Sequence, residues 1–474
     1  MSQRPDSPRS IGSRPADDVL MLQKVPAVTE IRRVGSLLRQ AGRAGVRLAR
    51  PGHGKPLKIR AAQQTRESFA RLGPTYVKLG QLIASSPGVF PLPLSREFRS
   101  MLDRVPPADP AEVRRVLIEQ LGDEPEKIFA RFDSEPIASA SIAQVHTATL
   151  RSGADVVVKI QRPGIRMRLA SDVQLLARAA KVARVTSVGK VMNAPEIVED
   201  FTQNLNEELD FRAEARAMEE WQAAVADTDY ADRVRVAKVY HEYTTERVLT
   251  MERITATRID DLRTIRAKKF DGTRLVKTLL LSLLDTGLNQ GIFHGDLHAG
   301  NVLVDDDGRI VLLDFGIVGR FDERSRKILC GLVIDLLVRS DHEAAVQKLF
   351  ELGAVPRHSL DGGDVGQVMK NFTDPLATTD MRSLSYADLG KQLMDLAKEY
   401  DLRLPRELVL VGKQLLYVER YMKLLAPRWT AISDPELFAM MARLMKDVER
   451  ERRAAVAAAA ADADTIRPDI AENS

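Results

Sequence analysis

The chain is short of cysteine, and its first residues do not have the pattern expected of a targeting segment. Its single cysteine, Cys330, excludes a framework of internal disulfide bonds. This residue lies in the apolar run KILCGLVIDLLV, which predicts a buried structural thiol rather than a nucleophile. No apolar segment of the secretory type begins the chain, and Asp6, Asp17 and Asp18 argue against an organelle transit peptide. These absences predict a cytoplasmic protein.

Long hydrophobic runs are also absent. The longest apolar stretches, 279–292 and 328–338, contain Asp285 and Asp335 and are shorter than the roughly 18 to 20 residues that cross a bilayer. We therefore expect no transmembrane helix. Aromatic residues make up only 5% of the chain, and no nucleic-acid recognition module is present, so nucleic acid is not an expected partner.

Positive charge is concentrated at the N-terminus. Residues 1–60 hold thirteen Lys and Arg against four Asp and Glu, although the whole chain has a formal charge of only +4. From Val28 onward apolar residues recur at helical spacing, which predicts a basic helix. Peripheral contact of this helix with an anionic membrane is a hypothesis that its charge raises. The following PGHGKP segment lacks the spacing of a phosphate-binding loop and predicts a turn.

The length of 474 residues predicts more than one compact unit. Changes in composition and periodicity predict five regions: a disordered start over 1–25, a basic helix and helical extension over 26–130, a small mixed lobe over 131–253, a helical lobe over 254–452, and a low-complexity tail over 453–474. The segment 437–453 has apolar residues at helical spacing beside basic ones. Packing on the protein is its expected role, with a membrane surface as the alternative.

Within the mixed lobe the pattern predicts a hairpin and two long helices. The predicted strands are 136–150 and 155–161, and the helices are 165–186 and 194–224. Further strand-like runs follow at 234–240 and 247–251. The helical lobe is predicted to begin with a helix over 273–290 and two strands over 301–304 and 310–313.

One lysine has the sequence context of a phosphate-binding group. Lys159 lies in the apolar strand VVVKI, where an ammonium needs an anionic partner because an unpaired charge is costly to desolvate. Glu214, in the following helix, is the candidate partner, in the manner of the lysine and glutamate that kinases pair at the nucleotide. A lysine at a sheet edge and a solvated helix carboxylate are the alternatives.

The segment IFHGDLHAGNVLVDDDGRIVLLDFG, residues 292–316, carries the strongest local signal. Asp296 and Asn301 have the D-x-x-x-x-N spacing of a kinase catalytic loop, and Asp314 begins D-F-G after an apolar strand. We expect Asp296 to orient or deprotonate the nucleophile. Asn301 and Asp314 are the expected Mg²⁺ ligands, with Mn²⁺ as the alternative metal. His294 and His298 are interpreted as scaffold residues rather than a zinc pair.

Two departures separate this segment from ordinary protein kinases. Position 298 is histidine rather than lysine, and no A-P-E follows the D-F-G. A platform for a peptide substrate is therefore not expected. The HGDLxxGN pattern also occurs in kinases similar to aminoglycoside phosphotransferases, so this segment indicates a superfamily and leaves the family open.

Three further motifs resemble those of the UbiB (AarF/ADCK-like) atypical kinase family. GPTYVKLGQ has Lys78 and Gln81 at the positions of the KxGQ motif, and ELDF has Glu208 and Asp210 at those of the ExD motif. PIASASIAQVH resembles the alanine-rich loop that replaces the glycine-rich loop of other kinases. The residues of this loop that we expect to bind ATP are Ala138, Ser139, Ala140 and Ser141.

The resemblance implies an α+β, bilobal protein-kinase-like fold with an N-terminal helical KxGQ extension. It further implies that Lys78 and Gln81 lie near Glu208 and Asp210 and restrict access to the site. VLTMERI resembles the strand that leads to a kinase hinge, where backbone groups near Glu252 would bind adenine, with a plain core strand as the alternative.

The expected function is that of an ATP-binding atypical kinase or ATPase that depends on Mg²⁺. The resemblance connects it to isoprenoid quinone (ubiquinone or menaquinone) or other lipid metabolism at a membrane, with a lipid or quinone precursor as a partner. The alternative is a nucleotide-gated binding protein with little turnover. Neither the phosphate acceptor nor the oligomeric state follows from the sequence.

Overall fold

The structure is a computed structural model. It describes residues 19–49, 56–85, 91–98, 105–183, 194–339, 341–352, 406–431 and 434–446, together with residues 450 and 453. The predicted turn at 51–55, the first 18 residues of the predicted disordered start (1–25) and the tail beyond 453 lie outside the described residues. The prediction of disorder is wrong for Val19–Leu22, which form a helix with Leu20 fully buried. The chain divides into two compact units. The first is Met1–Glu219 with Ala237–Ile254, and the second is Glu220–Val236 with Thr255–Ser474.

The first unit begins with seven described helices and continues with most of the longer strands. Its helices are α1 (Val19–Leu22), α2 (Ala27–Ala49), α3 (Leu57–Leu72), α4 (Pro74–Ser85), α5 (Leu92–Phe98), α6 (Pro110–Leu121), α7 (Pro125–Ile128), α8 (Ile165–Ala183), α9 (Ala194–Glu208) and the start of α10 (Phe211–Ala226). Its strands are β1 (Phe129–Phe132), β2 (Ala138–Ser139), β3 (Ala143–Leu150), β4 (Asp155–Gln161) and β6 (Val248–Glu252).

An antiparallel sheet with the order β1-β3-β4-β6 forms the centre of this unit, and β2 pairs with β3. Alternate side chains of β4 point to opposite faces because a strand repeats every two residues. Val156, Val158 and Ile160 are fully buried in a core that includes apolar residues of α6. Lys159 therefore lies on the other face of the sheet, opposite Val145 of β3 and Leu249 of β6.

The helix predicted over 194–224 is two helices, so that prediction is wrong in this respect. α9 ends at Glu208 and α10 begins at Phe211. The carboxylate of Asp210 accepts a hydrogen bond from the backbone N–H of Arg212 at 3.0 Å, and the N–H of Phe211 donates to the carbonyl of Glu246. An aspartate that caps a new helix favours a break, because it satisfies a backbone donor that has no partner within the helix.

A buried carboxylate joins two helices of the N-terminal extension to α8. Asp172 of α8 is fully buried, and both of its oxygens bind the guanidinium of Arg33 on α2, at 2.7 Å for Oδ2. The hydroxyl of Thr75, in the first turn of α4, also donates to this carboxylate. Because a buried charge is tolerated only when it is paired and hydrogen-bonded, this cluster fixes α2 and α4 against α8.

The second unit contains two small sheets and the remaining helices. The sheets have the strand orders β5-β10-β9-β7 and β11-β8. The strands are β5 (Val234–Val236), β7 (Thr257–Arg258), β8 (Ile292–His294), β9 (Val302–Val304), β10 (Ile310–Leu312) and β11 (Val318–Arg320), and the helices are α11 (Leu262–Ala267), α12 (Gly272–Asp285), α13 (Glu323–Ile334), α14 (His342–Glu351), α15 (Arg406–Leu425) and α16 (435–446).

Several predicted elements of this unit are confirmed. α12 and a π-helical turn at Thr286–Gln290 cover the helix predicted over 273–290, and β9 and β10 match the two predicted strands. The predicted strand 234–240 is shorter, because only Val234–Val236 forms a strand, parallel to β10. Cys330 is buried and contacts the carbonyl of Leu288, as expected of a structural thiol.

The structure bears on two of the expectations that concern membranes. None of the helices in the described part of the chain pairs the length of a membrane span with the apolar composition that one needs. In the C-terminal segment 437–453, four apolar side chains of α16 are buried, namely Leu437, Met440, Met441 and Leu444, whereas Phe438 is 53% exposed. One face of this helix therefore packs on the protein.

Candidate active site

Lys159 and Glu214 form a close ion pair in the first unit. The ammonium lies 2.8 Å and 2.9 Å from the two carboxylate oxygens, and the side chains are 15% and 6% exposed. The ring of Phe211 lies 5.2 Å from the same ammonium. Both charged groups are shielded from most of the solvent, and electrostatic interactions are stronger in such an environment than in water. The pair has the form expected of a lysine held ready for nucleotide phosphates, although its role remains a prediction.

The alanine-rich segment is partly a β-strand and not an open loop. Ala138 and Ser139 form β2, and the N–H of Ala140 donates to the carbonyl of Ala143 at 2.8 Å. Ser141 is fully buried. Its hydroxyl could reach a nucleotide only after the segment moved, whereas the other three residues predicted to bind ATP are at least partly exposed.

Arg162 holds this segment in place, and sequence reasoning missed it. Its guanidinium donates to the carbonyls of Ala140 at 2.8 Å and Pro106 at 2.6 Å and to the hydroxyl of Ser139 at 2.6 Å. An arginine three residues after the candidate lysine was the only sequence signal. Since the bonds go mainly to backbone atoms, the identity of the partners could not be read from side-chain motifs.

Glu252 is the last residue of β6. Its N–H donates to the carbonyl of Lys238 at 2.8 Å, and the N–H of Arg253 donates to the carbonyl of Asp155 at 3.0 Å. These two donors are engaged within the first unit. Adenine binding by the backbone near Glu252 therefore stays a prediction. The backbone groups it involves are ones other than these two N–H donors.

An ion pair joins the KxGQ and ExD motifs. Lys78 of α4 lies 2.8 Å from Glu208 at the end of α9, and both side chains are mostly buried. Gln81 follows Lys78 by three residues, so the two side chains share a face of α4. Asp210 instead caps α10 and pairs with Arg212 at 2.9 Å. The two carboxylates of the ExD motif thus have different structural tasks.

In the second unit, the segment 292–316 is held by short-range hydrogen bonds. Gly295 follows β8, and its N–H donates to the carbonyl of Ile317 at 2.9 Å. A Cβ at this position would lie 2.8 Å from that carbonyl oxygen, which explains the glycine. His294 is completely buried between the N–H of Asp296, which donates to its Nδ1, and the carbonyl of Leu313, which accepts from its Nε2. Burial lowers the pKa of this imidazole, so it is a neutral scaffold group.

Asn301 is tied to the backbone of Asp296. Its amide nitrogen donates to the Asp296 carbonyl at 3.0 Å, and its own N–H donates to the carbonyl of His298 at 2.8 Å. The bond from the side-chain amide fixes the orientation of this amide and therefore the position of its oxygen, which is the atom able to ligate a cation. The D-x-x-x-x-N spacing therefore produces a closed local turn rather than two independent side chains.

Asp314 has an unusual backbone. Its φ of 55° is one of two positive values at residues other than glycine in the described part of the chain. Aspartate tolerates this conformation when it makes a local hydrogen bond, and the N–H of Gly316 donates to Oδ1 at 3.3 Å. Such a conformation is energetically unfavourable and persists only where the surrounding structure holds it in place. Conformations of this kind are concentrated at functional sites.

A helix that sequence reasoning did not connect with the site binds this segment. On α15, the ammonium of Lys413 lies 3.0 Å from Oδ1 of Asp296. Gln414, which is fully buried, accepts a hydrogen bond from the N–H of Leu297 at 2.8 Å and donates to the carbonyl of Gly295 at 2.6 Å. Lys413 and Asp296 are 117 residues apart in the sequence. The adjacent lysine and glutamine of VGKQLL were the only sequence signal of this contact.

The donor set fits magnesium. Mg²⁺ prefers oxygen ligands and is commonly bound by one or two carboxylates together with substrate phosphates. Asp314 offers a carboxylate and Asn301 an amide oxygen, which is the set that kinases use. Across the described ranges, no three His, Cys, Asp or Glu side chains form a group able to hold a metal ion, and His294 and His298 are not part of one.

A kinase-like protein is defined by this fold together with a paired lysine and glutamate, a catalytic-loop aspartate and asparagine, and a D-F-G aspartate. Comparison with known families agrees with this class. The profile described as ABC1 atypical kinase-like domain matches residues 100–349, and that of the UbiB helical domain matches residues 369–430. The chain belongs to the ABC1/UbiB family of atypical kinases, which confirms the resemblance that the motifs indicated.

Curated relatives extend over most of the chain. An uncharacterized protein of Mycobacterium tuberculosis, Rv0647c, is 50% identical over 94% of this chain and 91% of its own length. A chloroplastic aarF domain-containing protein kinase of Arabidopsis thaliana is 32% identical over 78% of this chain and 73% of its own. A probable protein kinase UbiB of Cellvibrio japonicus is 30% identical over 76% of this chain and 66% of its own.

A solved structure has the same fold. Rv3197 of Mycobacterium tuberculosis, solved in complex with erythromycin, matches with a TM-score of 0.50 and 23% identity, and the match covers 80% of this chain and 98% of that one. At this identity the likeness concerns the fold alone. Together with the family match, it confirms the predicted mixed α/β, kinase-like fold.

Proposed function

We propose that this protein binds Mg·ATP and transfers or hydrolyses its terminal phosphate. The observation that carries the proposal is the ion pair between Lys159 and Glu214, because a lysine that a carboxylate orients on a largely buried strand is suited to bind phosphate oxygens. In this function Lys159 binds the nucleotide phosphates and Glu214 orients it. Ala138, Ser139 and Ala140 line the phosphate side, and backbone near Glu252 binds adenine.

The remaining roles belong to the segment 292–316. Asp296 orients the nucleophile and accepts its proton, and Asn301 and Asp314 hold the metal. When bound, Mg²⁺ neutralises charge on the phosphates. His294 holds the N–H of Asp296, which keeps the catalytic loop in one conformation.

We propose a regulatory role for the pair of Lys78 and Glu208. The pair links α4 to the end of α9, next to the helix break that begins α10. Since Glu214 lies in the first turn of α10, the KxGQ helix is connected to the helix that orients Lys159. With the pair intact, Lys78 and Gln81 restrain this region and limit turnover.

The physiological setting that we propose is lipid metabolism at a membrane, with a lipid or isoprenoid quinone precursor as a partner. This follows the family relationship, and α2 adds physical support. The apolar side chains on its outer face share one side of the helix and are between 59% and 71% exposed: Val28, Ile31, Leu38 and Val46. Large exposed apolar surfaces on a helix mark interaction sites.

Arginines border this apolar face. Arg32, Arg39 and Arg43 are exposed on α2, whereas Arg33 is bound to Asp172 and Arg47 pairs with Glu67. A helix with an apolar face and flanking arginines suits a surface of anionic lipid, which attracts basic groups by about 1 kcal/mol each. Because Arg33 and Thr75 share Asp172, lipid contact at α2 is physically connected to the KxGQ helix.

The decisive experiment measures phosphate release from Mg·ATP by the wild type and by Asp314→Asn, with and without anionic liposomes. We expect turnover in the wild type, a rise with liposomes, and a loss of at least about 100-fold in the variant, because the metal loses its carboxylate. Asp322→Asn, the same exchange at an exposed helix N-cap where asparagine can also accept the hydrogen bond, is the matched control. Equal turnover in wild type and Asp314→Asn would defeat the site assignment.

The same experiment separates the alternative function. If neither protein turns over ATP while both bind it, nucleotide-gated binding of a lipid or partner becomes the better proposal.

Membrane contact has its own test, which is co-sedimentation with vesicles of phosphatidylcholine and phosphatidylglycerol. Leu38→Asp is expected to lower binding about tenfold, because a charge on the apolar face opposes burial in lipid. Val182→Asp, at an equally exposed apolar residue on α8, is the control. Unchanged sedimentation of Leu38→Asp would exclude α2 as the lipid contact.

A further inference from the structure

The helical domain contributes to the candidate active site. The kinase-like match ends at residue 349, and α15 lies in the part matched by the UbiB helical domain. Nevertheless, three side chains of α15 bind the loop that contains Asp296. Two of them, Gln414 and Tyr421, are buried and form hydrogen bonds with its backbone.

The backbone contacts fix how α15 meets the loop. Gln414 accepts from the N–H of Leu297 and donates to the carbonyl of Gly295, which are the residues on either side of Asp296. The hydroxyl of Tyr421 donates to the carbonyl of Leu297 at 2.7 Å. Buried polar atoms that are fully hydrogen-bonded have little freedom to move. α15 therefore holds both peptide groups that flank Asp296.

Lys413 precedes this anchor and reaches the side chain of Asp296. Its ammonium lies 3.0 Å from Oδ1, and the two side chains are 28% and 24% exposed. An ion pair with this exposure contributes little to folding stability, since solvent screens it. Its effect is local: it holds one carboxylate oxygen in place and puts a positive charge beside the other.

His298 does not supply this charge by a direct bond. Its Nε2 is 3.7 Å from Oδ2 of Asp296, beyond hydrogen-bonding distance, and its Nδ1 accepts from the N–H of Gly300 at 2.9 Å. The ring is thus held by its own loop. This position is the one where ordinary protein kinases have lysine.

We propose that Lys413 is the positioning residue for Asp296, and that the helical domain thereby supplies the cation that ordinary kinases carry two residues after the aspartate. The inference rests on the proposed role of Asp296. With Oδ1 bound to Lys413, Oδ2 is left to accept the proton of the nucleophile, and the ammonium stabilises negative charge that develops nearby.

The test compares four variants in steady-state phosphate release and in equilibrium binding of Mg·ATP. Lys413→Met is expected to lower kcat by up to about 100-fold, because a misplaced catalytic group loses most of its effect, while the Kd for Mg·ATP stays unchanged. Lys413→Arg is expected to retain most of the activity. Lys423→Met, which breaks the pair with Glu419 on the same helix, is the matched control and is expected to retain full activity.

The fourth variant moves the cation to its usual place. Adding His298→Lys to Lys413→Met is expected to restore part of the lost kcat, which a merely structural role for Lys413 would not allow. Unchanged binding of Mg·ATP by Lys413→Met establishes that the variant is folded.

Two results would overturn the inference, and they are distinguishable. If Asp314→Asn abolishes turnover but Lys413→Met keeps it, Lys413 has no positioning role while the proposed function stands. If the wild type has no turnover, the proposed function fails, and the role of Lys413 fails with it.

Discussion

The two units present their charged groups in different ways. In the first unit, lysines are paired with glutamates from distant helices, as in Lys159 with Glu214 and Lys78 with Glu208. In the second unit, Asp296, Asn301 and Asp314 come from one short segment that local hydrogen bonds shape. The first arrangement depends on packing between elements, and the second depends mainly on local sequence.

This difference has an energetic side. Removing one member of a partly buried ion pair leaves a charge without its partner, which costs more than the pair itself contributes. A local turn such as that of Asp296 and Asn301 loses mainly its chemistry when a side chain changes. Variants in the first unit should therefore affect both stability and activity, and those in the second unit mainly activity.

Within the first unit, the largest effect is expected at Lys159. Lys159→Met should lower kcat/KM for ATP by about 100-fold, because the phosphate ligand is lost and Glu214 is left buried without it. Lys127→Met, which breaks an exposed pair with Asp123, is the matched control in the same unit. The measurement is phosphate release over a range of Mg·ATP concentrations. An effect no larger than that of the control would refute the role of Lys159.

A smaller effect of opposite sign is expected at the KxGQ pair. Lys78→Met and Glu208→Gln should each raise turnover about fivefold, and the double variant should do no more, since one interaction is removed in all three. Arg66→Met, which breaks the pair with Glu97 between neighbouring helices, controls for general loosening. If both single variants lose activity, the pair supports the active form and does not restrain it.

Exchanging Ala140 for glycine tests the alanine-rich segment. Glycine lets the backbone approach phosphates more closely, so Ala140→Gly should change the Kd for Mg·ATP about threefold or allow autophosphorylation. The bonds of Arg162 to this segment limit the change. Ala154→Gly, in the turn between β3 and β4, is the control. Identical nucleotide binding and no new phosphorylation would show that the alanine does not restrict the site.

The smallest effect is expected from pH, and it concerns the second unit. Burial lowers the pKa of His294, so the unfolded chain binds a proton before the folded protein does as the pH falls. The stability contributed by the neutral ring is therefore present above the ordinary pKa of about 6.5 and is lost as the pH falls below it.

Thermal unfolding measures this loss. Between about pH 7.5 and about pH 5.5 we expect Tm to fall by a few degrees, at about 2 to 4 °C for each kcal/mol. His294→Gln should lower Tm at neutral pH but flatten its pH dependence. An equally steep dependence in this variant would assign the titration to other groups, of which buried His146 has a pKa that burial also lowers.

Much of the fold could be predicted from the sequence. The run of β-branched residues in VVVKI predicted β4, the motifs predicted the family, and apolar spacing predicted most helices. The break between α9 and α10 was missed because helical periodicity continues through ELDF, and only the cap by Asp210 and the bond from Phe211 to Glu246 interrupt it.

The sequence by itself determined the chemistry of the segment 292–316, because its residues are neighbours whose spacing almost fixes their geometry. It also identified Lys159 and Lys78 as candidates. Only the tertiary structure decided that Lys78 meets Glu208, that Arg162 holds the alanine-rich segment, and that Lys413 reaches Asp296 across 117 residues. Such contacts depend on which helix faces pack together, and packing is set by burial over whole elements rather than by any local motif.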